Sequence, residues 1–244
     1  MKVSDDRHLS LLSSEFGDFA RACRAERVYG DLFVIREAYP GMRVRLDGTY
    51  GVVTSFMSLE YLDIAHLLEI VEAGKEYLSR FGTGFASSRT TIDSMSHRCL
   101  EEDLADFKRA ESCILTNRGY DASHMLVSLH AGPIRALRKR FLRKRRTAVF
   151  MDELSHASLQ DAFMSLRGSE EGSRQANRKY RHADYGHLEE LLAATDDETD
   201  RFIVTDGLFS AHGDFADIPE LLSIAKRHRA FLLVDGAHSD GVYG

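Results

Sequence analysis

The pattern of apolar and polar positions changes character near residue 93. Before it, the chain predicts an amphipathic helix, a short strand pair around "VRLDGTYGVVTS" and a helix through "LLEIVEAGKEYLSRFG". After it the pattern is regular: helix "SMSHRCLEEDLADFKRA", strand "SCILT", helix "ASHMLVSLH", strand "TAVFMD", helix "HASLQDAFMSL", a strand near "RKYRH", helix "YGHLEELLAA", strand "RFIVTD", helix "IPELLSIAKRH" and strand "AFLLVD". Short apolar strands alternating with helical segments imply right-handed crossovers and a largely parallel sheet covered on both faces. The fold class is α/β.

In open parallel sheets, ligands gather beyond the carboxyl ends of the strands, where loops carry polar groups and the strands hold them in register. Three strands finish alike, in "VFMDELSHAS", "FIVTDGLFS" and "FLLVDGAHS", each with an Asp at the strand end and a Ser or His a few residues on. An Asp there can equally cap the next helix, and Asp152 leans that way. A lone His is likewise often a packing residue. Capping alone does not require His both four residues after Asp152 and three after Asp235, so the tips point to one shared site.

Composition adds exclusions. At 244 residues the chain can bury a substantial core, with 43% apolar and 29% charged residues and a formal net charge of -6. That balance offers no global basic field for nucleic acid. Cys23, Cys99 and Cys113 are odd in number and lack CxxC spacing, which argues against a disulfide framework and against a zinc or other metal site. The opening "MKVSDDRHLSLLSSEF" has no apolar core of signal-peptide length, and no window approaches a membrane span, so a soluble cytoplasmic protein is expected. Residues 135–146, "RALRKRFLRKRR", carry eight cations in twelve positions. Such a block is most often a solvated helix face or loop; the alternative is a contact for an anionic partner, whether the phosphates of a coenzyme, an acidic carrier protein, anionic lipid or RNA.

Seven segments in order, "FGTGFASSR", "HRCLEEDLADF", "RGYDAS", "DELSHASLQDA", "KYRHADYGHLEELL", "FIVTDGLFSAHGDFADIPELL" and "LLVDGAHSDGVYG", resemble the α-oxoamine synthases, pyridoxal-phosphate enzymes of the fold type I aminotransferase superfamily. The resemblance runs from about residue 44 to the end. It implies a three-layer sandwich with a mostly parallel sheet, the large domain of that fold, in residues 44–244, preceded by a helical lead-in over 1–43. It also implies a homodimer that condenses an amino acid with an acyl-CoA or acyl-carrier thioester, with decarboxylation.

Carried over by the same resemblance, Asp235 pairs with the pyridine nitrogen of pyridoxal 5'-phosphate and keeps the ring an electron sink. His156 stacks on the ring face, and His238 and Ser210 lie near the phenolic oxygen. Gly119 and Tyr120 start a helix whose unpaired N–H groups meet the phosphate. Asp235, His156 and His238 are the catalytic candidates. "GTGFASS" is similar to the stretch lining the substrate end.

The chain departs from the family pattern at Asp121, beside the phosphate turn, at Gly236, where a second Asp is common, and at Ala211 and His212. The family's Schiff-base Lys follows the "VD-x-AH" motif by about thirty residues, and no Lys here stands in that context. Two expectations follow: a large domain incomplete at its carboxyl end and inactive alone, or a non-catalytic subunit that pairs with an active synthase.

Overall fold

A computed structural model describes residues 35–46, 51–56, 58–84, 87–131, 146–165 and 177–243. The helix expected near the amino terminus, the basic segment 135–145 and Phe85 and Ala86 of the Gly-rich stretch lie outside the described residues. The chain divides into two compact units, Met1–Thr83 and Gly84–Gly244.

In the first unit, β1 (Ile35–Tyr39), β2 (Arg43–Leu46) and β3 (Val52–Thr54) form an antiparallel sheet. The sequence pattern gave the pair β2 and β3. The structure adds β1, whose charged "IREAY" carries little apolar signal. Helix α1 (Leu68–Phe81) follows. Two surface pairs, Lys75 with Glu72 and Arg80 with Glu76, support it. It stops at Gly82, whose φ of 67° only glycine adopts at little cost and whose N–H donates to the Leu78 carbonyl.

The second unit carries the parallel sheet. In chain order it contains α2 (Met95–Lys108), α3 (Gly119–Ala131), β4 (Arg146–Asp152), α4 (Ala157–Ser165), β5 (Arg178–Tyr180), α5 (Tyr185–Ala193), β6 (Thr199–Asp206), α6 (Ile218–Arg227) and β7 (Ala230–Asp235). The strands lie in the order β5-β4-β6-β7, every neighbouring pair parallel. Period-two alternation sorts their side chains. Val149, Met151, Phe202 and Val204 pack on one face against Leu159, Ala162 and Phe163 of α4. Ala148, Phe150, Tyr180 and Ile203 pack on the other against Leu188 and Leu192 of α5 and Leu221, Ile224 and Ala225 of α6. Three layers result, as the α/β reading requires.

Local chemistry sets the helix starts. Ser94, Asp184 and Asp217 each accept a backbone N–H three residues on, at 3.2, 2.9 and 3.0 Å. At the amino edge of the sheet, buried Arg201 of β6 donates to the carbonyls of Thr195 and His228, closing the ends of α5 and α6.

One predicted element is overturned. "SCILT", read as a strand, is irregular. Ile114 is exposed, and the Leu115 N–H goes to Glu101 Oε1 at 2.8 Å. A strand needs a ladder partner, and among the described residues none pairs with this run.

Candidate functional site

Sheet order fixes where a site can form. The chain leaves β4 for β5 on one side and returns to place β6 and β7 on the other, so the crossovers diverge between the tips of β4 and β6. A crevice at such a switch point is where α/β sheets bind ligands. Here the loop after β4 is joined to the tip of β6: the His156 N–H donates to Asp206 Oδ1 at 3.1 Å. Asp206 stands in register with Asp235, and the Gly207 N–H donates to the Asp235 carbonyl at 2.8 Å. Gly207 suits this close approach, since a Cβ there would lie 3.1 Å from Ser239 Oγ and 3.3 Å from Val234 Cγ1, and both side chains would have to give way. His156, Asp206 and Asp235 thus form one connected row across the strand tips.

Asp235 is half-buried, and one carboxylate oxygen accepts from the Ala237 N–H at 3.0 Å. No other donor among the described residues reaches it, so an oxygen remains for a cation. His238 follows in the turn after β7, half-buried.

His156 has an exposed ring and begins α4. The Leu159 and Gln160 N–H groups donate to its carbonyl. Its Nδ1 accepts from the Ser158 N–H at 3.2 Å and lies 2.9 Å from Ser158 Oγ. A nitrogen that accepts an amide proton carries no proton itself, so the hydrogen of neutral His156 sits on Nε2. Ser158 Oγ is in turn 3.1 Å from Ser123 Oγ, and Ser123 donates to the Gly119 carbonyl at 3.1 Å. His156 thus starts the helix with its own ring held by Ser158, and the relay runs back to the start of α3.

Gly119 and Tyr120 open α3. Its first internal bond is from the Ala122 N–H to the Arg118 carbonyl, so the N–H groups of Gly119, Tyr120 and Asp121 have no acceptor within the helix. Gly119 has open space around it. Tyr120 donates to Asp161 of α4 at 3.1 Å. These donors suit a phosphate, while the Asp121 carboxylate in the same turn opposes one. Ser210 is exposed on the loop after β6.

Asp206, one of the three strand-tip acids, and two residues outside the sequence candidates, His182 and Asp214, also lie on this edge. Asp206 is almost fully buried, and burial pushes its carboxyl up to about 6, opposed by the His156 amide and reinforced by Asp235. His182, just past β5, has Nδ1 3.0 Å from Asp152 Oδ1 and Nε2 2.6 Å from Asp214 Oδ2. Asp152 also accepts from Leu154 N–H and Ala183 N–H at 2.9 and 3.1 Å, so it is structural as expected, though it braces the loops after β4 and β5 instead of capping the helix that follows β4.

The departures from the family pattern also find their places. A Cβ on Gly236 would lie 2.5 Å from the Asp240 carboxylate, which is paired with Lys108 of α2 at 2.7 Å. The motifs "FGTGFASSR" and "HRCLEEDLADF" are tied together by Arg89, which donates to Glu101 at 2.7 Å and to Asp93 at 3.0 Å. Among the described residues there is no metal-binding cluster and no helix long and apolar enough to cross a membrane.

Residues 57–244 match the family described as aminotransferase class I and II. The chain is 39% identical over 211 residues to the 8-amino-7-oxononanoate synthase of Methylococcus capsulatus, covering 86% of this chain and 49% of that protein. It is 36% identical over 230 residues to the 8-amino-7-oxononanoate synthase of Citrifermentans bemidjiense, covering 94% and 53%. A solved serine palmitoyltransferase from Sphingomonas wittichii shares the fold with a TM-score of 0.75 at 23% identity, over 91% of this chain and 52% of its own. The chain spans about half the length of the curated relatives it matches. With the parallel sheet and its tip motifs in family order, this match makes the chain a member of the aminotransferase class I and II family, among the α-oxoamine synthases of pyridoxal-phosphate fold type I.

Proposed function

We propose that the chain forms the pyridoxal 5'-phosphate-binding part of an α-oxoamine synthase, which joins an amino acid to an acyl-CoA or acyl-carrier thioester with loss of carbon dioxide. The observation that carries this reading is Asp235, a carboxylate at a strand tip beside the switch point, with an oxygen open to a cation and His156 joined to the same row through Asp206. When bound, the cofactor supplies an electron sink for negative charge at the substrate's α-carbon.

The chain's residues do the rest. Asp235 holds a proton on the heterocycle nitrogen by charge-assisted hydrogen bonding. His156, its ring held by the Ser158 contacts at Nδ1, would stack on the heterocycle. Ser210 and His238 would hold the phenolic oxygen, and the open amides of Gly119 and Tyr120 would take the phosphate. Dimerisation is part of the same proposal.

Binding by this chain alone is proposed to be non-covalent. Among the described lysines, Lys75 and Lys226 lie on helices, Lys179 lies on β5, and Lys108 donates to Asp240. None stands on a loop after β4, β6 or β7, and synthase activity of the chain by itself is expected to be negligible.

Titration of the protein with pyridoxal phosphate, followed by absorbance and fluorescence, tests the reading. Saturable uptake is expected, not fixed to a lysine by borohydride, and Asp235→Asn should weaken it at least about tenfold because the heterocycle loses its counter-charge. Uptake unaffected by that substitution, or no uptake, would refute it.

A further inference from the structure

His182 is held on both ring nitrogens by carboxylates from different parts of the sheet edge. Asp152 comes from the tip of β4 and Asp214 from the loop after β6, at 3.0 and 2.6 Å. A neutral imidazole has one N–H and can donate to only one of them; its other nitrogen would then turn a lone pair toward a carboxylate oxygen. The observed geometry calls for the imidazolium. Burial opposes that charge, yet the hydrogen bonds to Asp214 and Asp152 outweigh it, so His182 titrates above the ordinary histidine value of 6.5. The bond from His182 in turn lowers Asp214.

The loop that Asp214 belongs to is a compact turn. The Phe209 N–H donates to the Asp214 carbonyl at 2.9 Å, the Gly213 N–H to the Phe209 carbonyl at 2.8 Å, and Leu208 bridges Phe215. Phe209 is buried, with its ring edge-on to His182 at 4.5 Å between centroids. Ser210 rides on this turn. Its base is tied to the sheet by the Gly207 N–H, and its far end by the Asp217 N–H to the Tyr185 hydroxyl at 2.7 Å. The side-chain tie on the turn itself is Asp214 to His182.

We propose that His182 is a positioning residue: clamped between Asp152 and Asp214, it locks the Leu208–Phe215 turn, and with it the Ser210 hydroxyl, against the tips of β4 and β5. The link to cofactor binding rests on the site proposed above; the clamp itself does not. The titratable and charged groups around His182 are Asp152 and Asp214 at its ring nitrogens, His212 at 6.0 Å between ring centroids, and Glu153, whose Oε1 accepts the His182 backbone N–H at 3.0 Å; Arg181, its chain neighbour, pairs instead with Asp184. Because the folded-state value of His182 is raised, the clamp is complete below the ordinary histidine value and loosens as pH rises through the raised one.

The test is hydrogen exchange at the Phe209 and Gly213 amides of the 244-residue protein, with nitrogen-15 spectra of the His182 ring. In the wild type both ring nitrogens should carry protons at pH 6.5, and exchange of the two amides, corrected for intrinsic rate, should accelerate as the ring deprotonates. Asp214→Asn, an exposed change that leaves the core intact, should lower the ring's midpoint and speed both amides about tenfold while β6 core amides stay protected. His182→Gln should do the same to exchange and abolish its pH dependence. Unchanged amide exchange in both variants, or a ring that titrates at or below 6.5, would overturn the clamp. A clamp that responds as described in a protein that takes up no pyridoxal phosphate would support the clamp and refute the proposed function instead.

Discussion

Replacing Asp206 by Asn should reverse its effect on stability between acid and alkaline pH. Burial, countered by the His156 amide and reinforced by the charge of Asp235, moves the Asp206 carboxyl from about 3.8 to about 6. A raised carboxyl favours its protonated form in the fold. Between these two values the unfolded chain has released its proton while the folded chain retains it, so stability falls as pH rises and the whole penalty stands above pH 6. That displacement is worth about 3 kcal/mol. Asn keeps an oxygen for the His156 N–H and removes the charge, but its amide hydrogens in a buried position cost about 1 kcal/mol. The substitution should therefore destabilise slightly at pH 4 and stabilise by about 2 kcal/mol at pH 8, a rise in Tm of roughly 4–8 °C for a unit of this size. Thermal unfolding followed by circular dichroism at pH 4, 6 and 8 measures it. Repeating the change in an Asp235→Asn background should shrink the gain, because part of the penalty comes from that neighbour. An effect of the same sign and size at pH 4 and pH 8, or a loss of stability at pH 8, would refute the reasoning.

Asp121→Asn should tighten phosphate binding at the start of α3 about fivefold, since a carboxylate about 7 Å from a doubly charged phosphate repels it by about 1 kcal/mol even in a water-like medium; fluorescence titration with pyridoxal phosphate and competition by inorganic phosphate measure it, and equal or weaker affinity contradicts it. Ala183 adopts a φ of 53°, and its N–H is held by Asp152 Oδ2. Left-handed backbone costs a residue with a Cβ about 1–2 kcal/mol, and glycine costs about 0.4–1 kcal/mol through the unfolded chain, so Ala183→Gly should leave Tm unchanged or a few degrees higher; a clear fall would show that the turn is not strained.

The parts of the fold legible in the sequence are those where burial on both faces makes the apolar signal strong. β4 and β6 carry such apolar runs ending in Asp, β7 carries one although Phe231 and Val234 are exposed, and α5 and α6 open with Asp caps followed by regular apolar spacing. "SCILT" misleads because a run of Cys, Ile and Leu has the composition of a buried strand, and composition does not say whether a neighbouring strand exists. β1 is missed for the opposite reason, as a paired strand whose residues are largely charged or exposed. At the site, the Asp and His candidates follow from the rule that ligands meet the carboxyl ends of strands. His182 and Asp214 escape because they lie 30 and 32 positions from the partners that define them. What joins them is the spatial order β5-β4-β6, which no local pattern encodes. The available signal was the tip rule applied to the short strand "RKY", whose second following residue is His182.

Asp152, Asp206 and Asp235 end three adjacent strands in the same way, yet their surroundings assign them different chemistry. A carboxylate meant to receive a cation must keep both its charge near neutral pH and an oxygen free of other donors. Asp152 is fully buried and takes two backbone N–H groups as well as the His182 ring, so both its oxygens are engaged. Asp206 is buried beside another carboxylate and titrates at about 6, where a proton competes with any cation. Asp235 alone among the three is partly open to solvent and bonded only to an amide two residues away. Its partial exposure lowers the cost of the charge before a ligand arrives, and the neighbouring Asp206, ionised above about 6, adds to the negative potential that a pyridinium would meet. The arrangement also shows how two acids can stand side by side in register: the buried inner one takes up a proton as pH falls through about 6, which relieves its repulsion with the outer one.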